Sequence, residues 1–163
     1  MRDFSIAPDH SAPVEDVDLE DLLKAVYVAG GFTEAAAGEA QFRASAVRAR
    51  GDLLVARDAQ GQLIGTVIAV FPGSPACRFA RDRESEMQLL CVRQDRQRRG
   101  VGAALVAAAV DTARRAGASR MILWTQPSMT AAQRLYVNAG FERVPTLDFS
   151  RAGRTFLVFA RSL

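Results

Sequence analysis

One lysine, one histidine, two cysteines and one tryptophan in 163 residues remove several kinds of chemistry before any motif is sought. Cys77, Cys91 and His10 are too few and too scattered for a metal-ligand cluster or a disulfide framework, so no metal is expected and a reducing cytoplasm is the expected compartment. No apolar run approaches the ~20 residues that cross a bilayer. Met1 to His10 holds charges and Pro8, which does not read as a signal peptide, and no membrane partner is expected. The net charge of +3 is a small excess spread along the whole chain. Without a dense basic face or a base-stacking motif, a nucleic-acid partner is not expected either. What is present is apolar material: 49% hydrophobic residues suffice for the core of one ordinary domain spanning residues 1–163.

The chain is organised around Gln97 to Leu105, Gln-Arg-Arg-Gly-Val-Gly-Ala-Ala-Leu. Glu86 to Val92 before it reads as a short buried strand. Val101 to Ala116 after it is alanine-rich, contains Gly102 only in its first turn, and closes with Arg114 and Arg115 ahead of Gly117, which reads as a helix. A helix that starts at a glycine loop presents unpaired N–H groups and the positive end of its dipole. Gly100 and Gly102 let the main chain come close to an anion, and Arg96, Arg98 and Arg99 add charge and forked donors. A phosphorylated ligand is the natural reading, although a loop that merely needs glycine would look the same in isolation. The dinucleotide fingerprint is excluded because Leu105 stands where a third small residue is required. The P-loop is excluded because Lys24 is the only lysine.

Phe4 to Ala7 reads as a short first strand. Asp18 is expected to cap a helix through Leu19, Leu22, Leu23, Val26 and Tyr27, and a second helix is expected from Glu34 to Arg48. Leu53 to Ala56 and Leu63 to Phe71 read as a hairpin joined by Asp58-Ala59-Gln60-Gly61. Cys77 to Arg83 has no periodicity and reads as a loop. Met121 to Trp124 is a strand that completes a parallel crossover around the alanine-rich helix. A helix from Thr130 to Ala139 and two strands, Phe141 to Val144 and Thr155 to Phe159, close the chain.

Three segments resemble the signatures of the GCN5-related N-acetyltransferases (GNAT). Gln97, Gly100 and Gly102 meet a Gln/Arg-x-x-Gly-x-Gly/Ala motif, Ala132 to Phe141 is similar to Ala-x-x-Leu-Tyr-x-x-x-Gly-Phe, and Glu86 to Val92 is similar to Glu-x-x-x-Leu-x-Val. They occur in the family's order across the C-terminal half. The N-terminal half matches only in the order of its elements.

The resemblance implies an α/β (α+β) fold with a mixed, mostly antiparallel sheet of six or seven strands, splayed at its centre and flanked by about four helices. It implies acetyl-CoA as co-substrate, with its pyrophosphate on Gln97, Arg98, Arg99, Gly100, Val101, Gly102 and Ala103 and its pantetheine arm along the backbone of Leu90, Cys91 and Val92. Cys91 is then a strand residue rather than a nucleophile. Tyr136 becomes the general acid for the departing thiolate, and Glu86 the candidate base for an amine that arrives as ammonium. A core aromatic and a structural carboxylate are the competing readings of these two. Met129 stands where many members carry a pantetheine-binding Asn, so that contact is not carried over, and Ser128 or Thr130 is left to cap the helix. Tyr27, Phe32 and the Pro145 to Arg154 region are expected to shape the acceptor site, and a dimer through the last strands stays open. The expected function is acetyl transfer to a primary amine. The alternative is an acyl-CoA-binding regulatory module without turnover.

Overall fold

The structure is a computed structural model that describes residues 2–163. Its strands, in chain order, are β1 (Phe4–Pro8), β2 (Asp52–Asp58), β3 (Leu63–Val70), β4 (Glu84–Val92), β5 (Arg120–Thr125), β6 (Glu142–Arg143), β7 (Phe149–Arg151) and β8 (Arg154–Ser162). The helices are α1 (Asp16–Leu23), α2 (Ala35–Gln41), α3 (Ala44–Arg48), α4 (Val101–Arg115) and α5 (Thr130–Asn138). The sheet order is β1-β2-β3-β4-β5-β8-β6, with β7 paired to β8. Every pairing is antiparallel except β4 with β5, the two strands joined by α4.

β2 and β3 read as apolar runs because both faces of this part of the sheet are covered. Leu54, Ala56 and Val67 pack with Val101, Leu105, Val106 and Ala109 of α4. Leu53, Val55, Ile68 and Val70 pack with Leu19, Leu23, Phe42 and Val47 on the other side. The alternation along β2 thus feeds two cores, and the unbroken apolar run from Leu53 to Ala56 is the sequence consequence.

Helix α1 starts at Asp16 with Glu15 as its N-cap, so Asp18 lies inside the first turn rather than at the cap. Past Leu23 the helix widens to π-type winding over Lys24–Val28, and the N–H groups of Phe32 and Thr33 both return to the Tyr27 carbonyl. The helix expected from Glu34 to Arg48 is two helices. Glu20 of α1 accepts the N–H of Ala44 at 2.9 Å, capping α3 from a distance and fixing the break at Phe42–Arg43. The strand expected from Phe141 to Val144 shrinks to Glu142–Arg143, and β7 was not foreseen. It exists because Ala152 and Gly153 both take positive φ, 50° and 73°, in a tight hairpin that stacks Phe149 on Phe156.

β4 and β5 are paired only from Glu84 to Glu86, against Arg120 to Ile122. From Met87 onward β4 keeps β3 on one edge and has no ladder partner on the other, while β5 continues along β8 to Thr125. A bulge sharpens the divergence: Thr66 opposes Cys91 but Ile68 opposes Gln88, and Leu89 between them has φ 49°. This is the expected central splay, in a sheet of eight strands with five helices.

Candidate active site

The wedge between β4 and β5 opens into a cavity of about 740 Å³. Met87, Leu89 and Leu90 line its β4 side, Trp124, Thr125 and Gln126 its β5 side, and Tyr136 and Met129 reach in from α5 and its start. Tyr27 and Phe32, expected from sequence to meet the acceptor, line it as well. Two hydrogen bonds tie the far wall to the β5 side: Gln126 Nε2 donates to the Phe32 carbonyl at 2.7 Å, and Arg154 donates to the Gly31 carbonyl at 2.8 Å.

The carbonyls of the divergent strand are partly engaged by side chains. The Tyr27 hydroxyl donates to Leu90 at 2.8 Å, Thr66 Oγ1 to Leu89 at 3.1 Å and Gln97 Nε2 to Val92 at 3.2 Å. Gln97 therefore anchors the loop to the end of β4. Cys91 is buried against Thr66, and burial pushes its thiol up to about 11, so it stays a neutral thiol.

Beyond this same C-terminal end of β4, Gly100 is the N-cap of α4 with φ 81°, and among the described residues no side chain caps the helix. Its first-turn N–H groups are left for a ligand, and only glycine adopts this φ without strain. Gly102 has a second reason to be glycine. A β-carbon there would stand 3.2 Å from Leu135 Cδ2, so the Leu135 side chain of α5 would have to give by a few tenths of an ångström. Arg98 and Arg99 are exposed, and among the described residues neither has an ion-pair partner. Arg96 differs, since its guanidinium is held at 2.8 Å by the buried Asp58. The residues present fit a pyrophosphate: an uncapped helix start, two close-approach glycines and two free guanidiniums.

Tyr136 follows Leu135 directly, which carries the path from the loop to the cavity. Its ring packs against Phe141 and Phe159. Burial alone raises the phenol above its ordinary value, and no hydrogen bond among the described residues engages it. Thr125 Oγ1 is the one fully buried side-chain oxygen or nitrogen among the described residues without a hydrogen-bond partner, and it belongs to the same lining. Met129 is the N-cap of α5 in place of Ser128 or Thr130. It offers no side-chain cap, and Gln133 instead holds the preceding turn through the carbonyls of Gln126 and Pro127.

The expectation for Glu86 needs correction. Its side chain is 0% exposed and lies outside the cavity lining. Oε1 accepts the N–H groups of Arg78 at 2.7 Å, Phe79, and Ala80 at 3.0 Å, and Oε2 accepts Gln88 Nε2 at 2.9 Å. The carboxylate is the hub around which the 77–80 loop is wound, and in this geometry no acceptor amine or water reaches it. Arg151, within the region from Pro145 to Arg154 expected to shape the acceptor site, lines the cavity, whereas sequence reasoning missed Arg50, Gln88 and Thr125, which line it as well. Only their positions at the ends of apolar segments hinted at them.

The model of the acetyltransferase (GNAT) family matches residues 17–141. Among solved structures, an acetyltransferase from Streptococcus agalactiae superposes with a TM-score of 0.77 at 14% identity, covering 100% of both chains. A GNAT-family acetyltransferase from Staphylococcus aureus Mu50 gives 0.76 at 14% identity over 98% of this chain and 99% of that one. A Bacillus subtilis acetyltransferase in complex with CoA gives 0.70 at 19% identity, again over 98% and 99%. At such identities the likeness is one of fold. No curated protein sequence matches the chain.

Proposed function

The chain belongs to the GNAT acetyltransferase family, and on that premise we propose that it transfers an acetyl group from acetyl-CoA to the primary amine of a small acceptor held in the β4–β5 cavity. The observation that carries this reading is Tyr136, a neutral phenol with no hydrogen-bond partner among the described residues, at the meeting point of the cavity and the path from the glycine loop. When bound, acetyl-CoA supplies the activated acyl group and the thiol that departs.

The chain's own residues supply placement and one proton. The first turn of α4 with Arg98 and Arg99 holds the anionic end, while the unpaired edge of β4 beyond Glu86 offers main-chain groups to the extended arm. Tyr136 gives its proton to the leaving sulfur, and its raised pKa keeps that proton in place until then. With Glu86 sealed off, the incoming ammonium gives its first proton to solvent, and the second proton that the nitrogen sheds on forming the amide restores the Tyr136 phenol.

The test measures acetyl-CoA affinity by calorimetry and thiol release with a panel of amines on the same protein. Release that depends on an amine supports the enzyme. Tight coenzyme binding without release from any amine identifies the binding module instead.

A further inference from the structure

The cavity lining contains no aspartate and no glutamate, and its charged members are Arg50, Arg78 and Arg151. A site built for a polycationic acceptor would hold carboxylates. Here every fixed charge has the opposite sign, and each of the three guanidiniums lacks an ion pair among the described residues.

Arg50 is the most constrained. It sits where α3 leads into β2 and donates to two neutral acceptors, Gln88 Oε1 and the Gln41 carbonyl, both at 3.2 Å. Two long neutral bonds leave most of its five donors free. Burial lowers this guanidinium from its ordinary value, Tyr27 opposes that, and the charge of Arg151 adds to it. Arginine does not give up its proton in a protein, so this is a partly buried cation beside a second cation, with no anion among the described residues to offset either. Partial desolvation of that kind carries a cost that a bound counter-ion relieves.

The other two are held ready by aromatic rings. Arg78 lies over Phe149 at 3.8 Å and Arg151 over Phe156 at 5.6 Å, and these rings stack on each other at 4.9 Å. Stacking engages the flat faces of the guanidiniums and leaves their edge donors free for a planar or tetrahedral anion.

We propose that the acceptor is a small amine that also carries an anionic group, a carboxylate or a phosphonate-type oxyanion, bound by Arg50 with Arg151 at the mouth and Arg78 beside it. The amine nitrogen then points toward Tyr136 and the anion toward the α3–β2 corner. The inference rests on the cavity being the acceptor site of the acyl transfer proposed above.

The experiment compares matched acceptors at constant ionic strength. α-Amino acids and aminoalkylphosphonates are set against the corresponding amino-acid amides, the decarboxylated amines and spermidine, with released thiol as the readout. Quenching of Trp124, the only tryptophan and a cavity residue, by the N-acetylated amino acids and their amides reads binding without turnover. The anionic member of a pair is expected to have the higher kcat/KM by roughly thirtyfold or more, as for one partner of a desolvated hydrogen-bonded charge pair. Arg50→Met should erase that preference, Arg50→Lys should restore part of it, and exposed Arg151→Met should reduce it by about two- to fivefold without touching the core. The relative rates of carboxylates and phosphonates identify which anion the site was built for. Equal or better turnover of the amides, decarboxylated amines or spermidine overturns the inference and leaves acyl transfer standing. Failure of the whole panel to release thiol, with acetyl-CoA shown to bind, overturns both.

Discussion

The hydroxyl of Tyr27 donates to the carbonyl of Leu90 at 2.8 Å, joining the widened end of the first helix to the strand that lines the cavity, 63 residues away in sequence. Burial, with Cys91 and Tyr136 nearby, raises this phenol well above its ordinary value, so the bond is one between neutral groups. Tyr27→Phe leaves the ring against Phe42 and orphans a part-buried carbonyl. A loss of about 1 kcal/mol in urea unfolding is expected, with a larger fractional effect on acceptor KM than on coenzyme affinity.

Tyr136→Phe removes a hydroxyl that no group among the described residues engages. Stability should hardly change, while turnover should fall by about a hundredfold or more at unchanged coenzyme affinity. The raised pKa adds a sign: the proton is retained as pH rises, so kcat of the wild type should show no loss traceable to this group between about pH 7 and pH 9. Equal loss of affinity and rate would assign Tyr136 to packing.

The arginines of the loop separate by partner. Arg98→Ala and Arg99→Ala remove exposed charges and should each weaken acetyl-CoA by about 0.5–2 kcal/mol, less at high salt, with unfolding unchanged. Arg96→Ala instead strands the buried Asp58 carboxylate, which also accepts N–H groups from Gln60 and Gln62. Its main cost should appear as roughly 3 kcal/mol of stability.

Glu86→Ala should lower stability by about 3 kcal/mol or more, because the N–H groups of Arg78, Phe79 and Ala80 lose their only shared acceptor. Glu86→Gln, which keeps one carbonyl oxygen there, should fold better. Its pH–rate profile should run parallel to wild type. A deficit that closes as pH rises would restore Glu86 as a base.

Alkaline stability tests Cys91. Burial raises its thiol from 9.0 to about 11, so the native state holds a proton that the unfolded chain releases. That contribution is whole below pH 9.0 and is lost as pH rises toward 11, about 2–3 kcal/mol across the window. Denaturation midpoints at pH 7, 9 and 11 should show the decline, and Cys91→Ala should flatten it until the buried tyrosines titrate.

What the sequence disclosed was chemistry that is local. Gly100 and Gly102 declare themselves because a positive φ and a crowded helix start depend on their immediate neighbours. The strand–loop–helix order around them placed β4, α4 and β5, while the splay was implied only by the resemblance to the GNAT family. Tyr136 was legible for the same reason, since Leu135 and Tyr136 ride on one short helix fixed by Gly140. Glu86 was not, because a carboxylate in a strand looks identical whether it meets solvent or a loop wound over it, and the 77–80 segment has no periodicity to announce that winding. Arg50 and Arg151 meet only through tertiary packing. The helix break at Phe42 depended on Glu20, another partner brought from a distance.

The β4–β5 wedge is fixed at both ends, by the ladder from Glu84 to Glu86 at its base and by Gln126 and Arg154 gripping the Phe32 and Gly31 carbonyls at its far side. Between those supports no hydrogen bond crosses it among the described residues. Such a frame is expected to act as a fixed aperture rather than a jaw, so widening the range of acceptors admitted is expected to require trimming wall residues such as Phe32 or Trp124 rather than loosening a hinge.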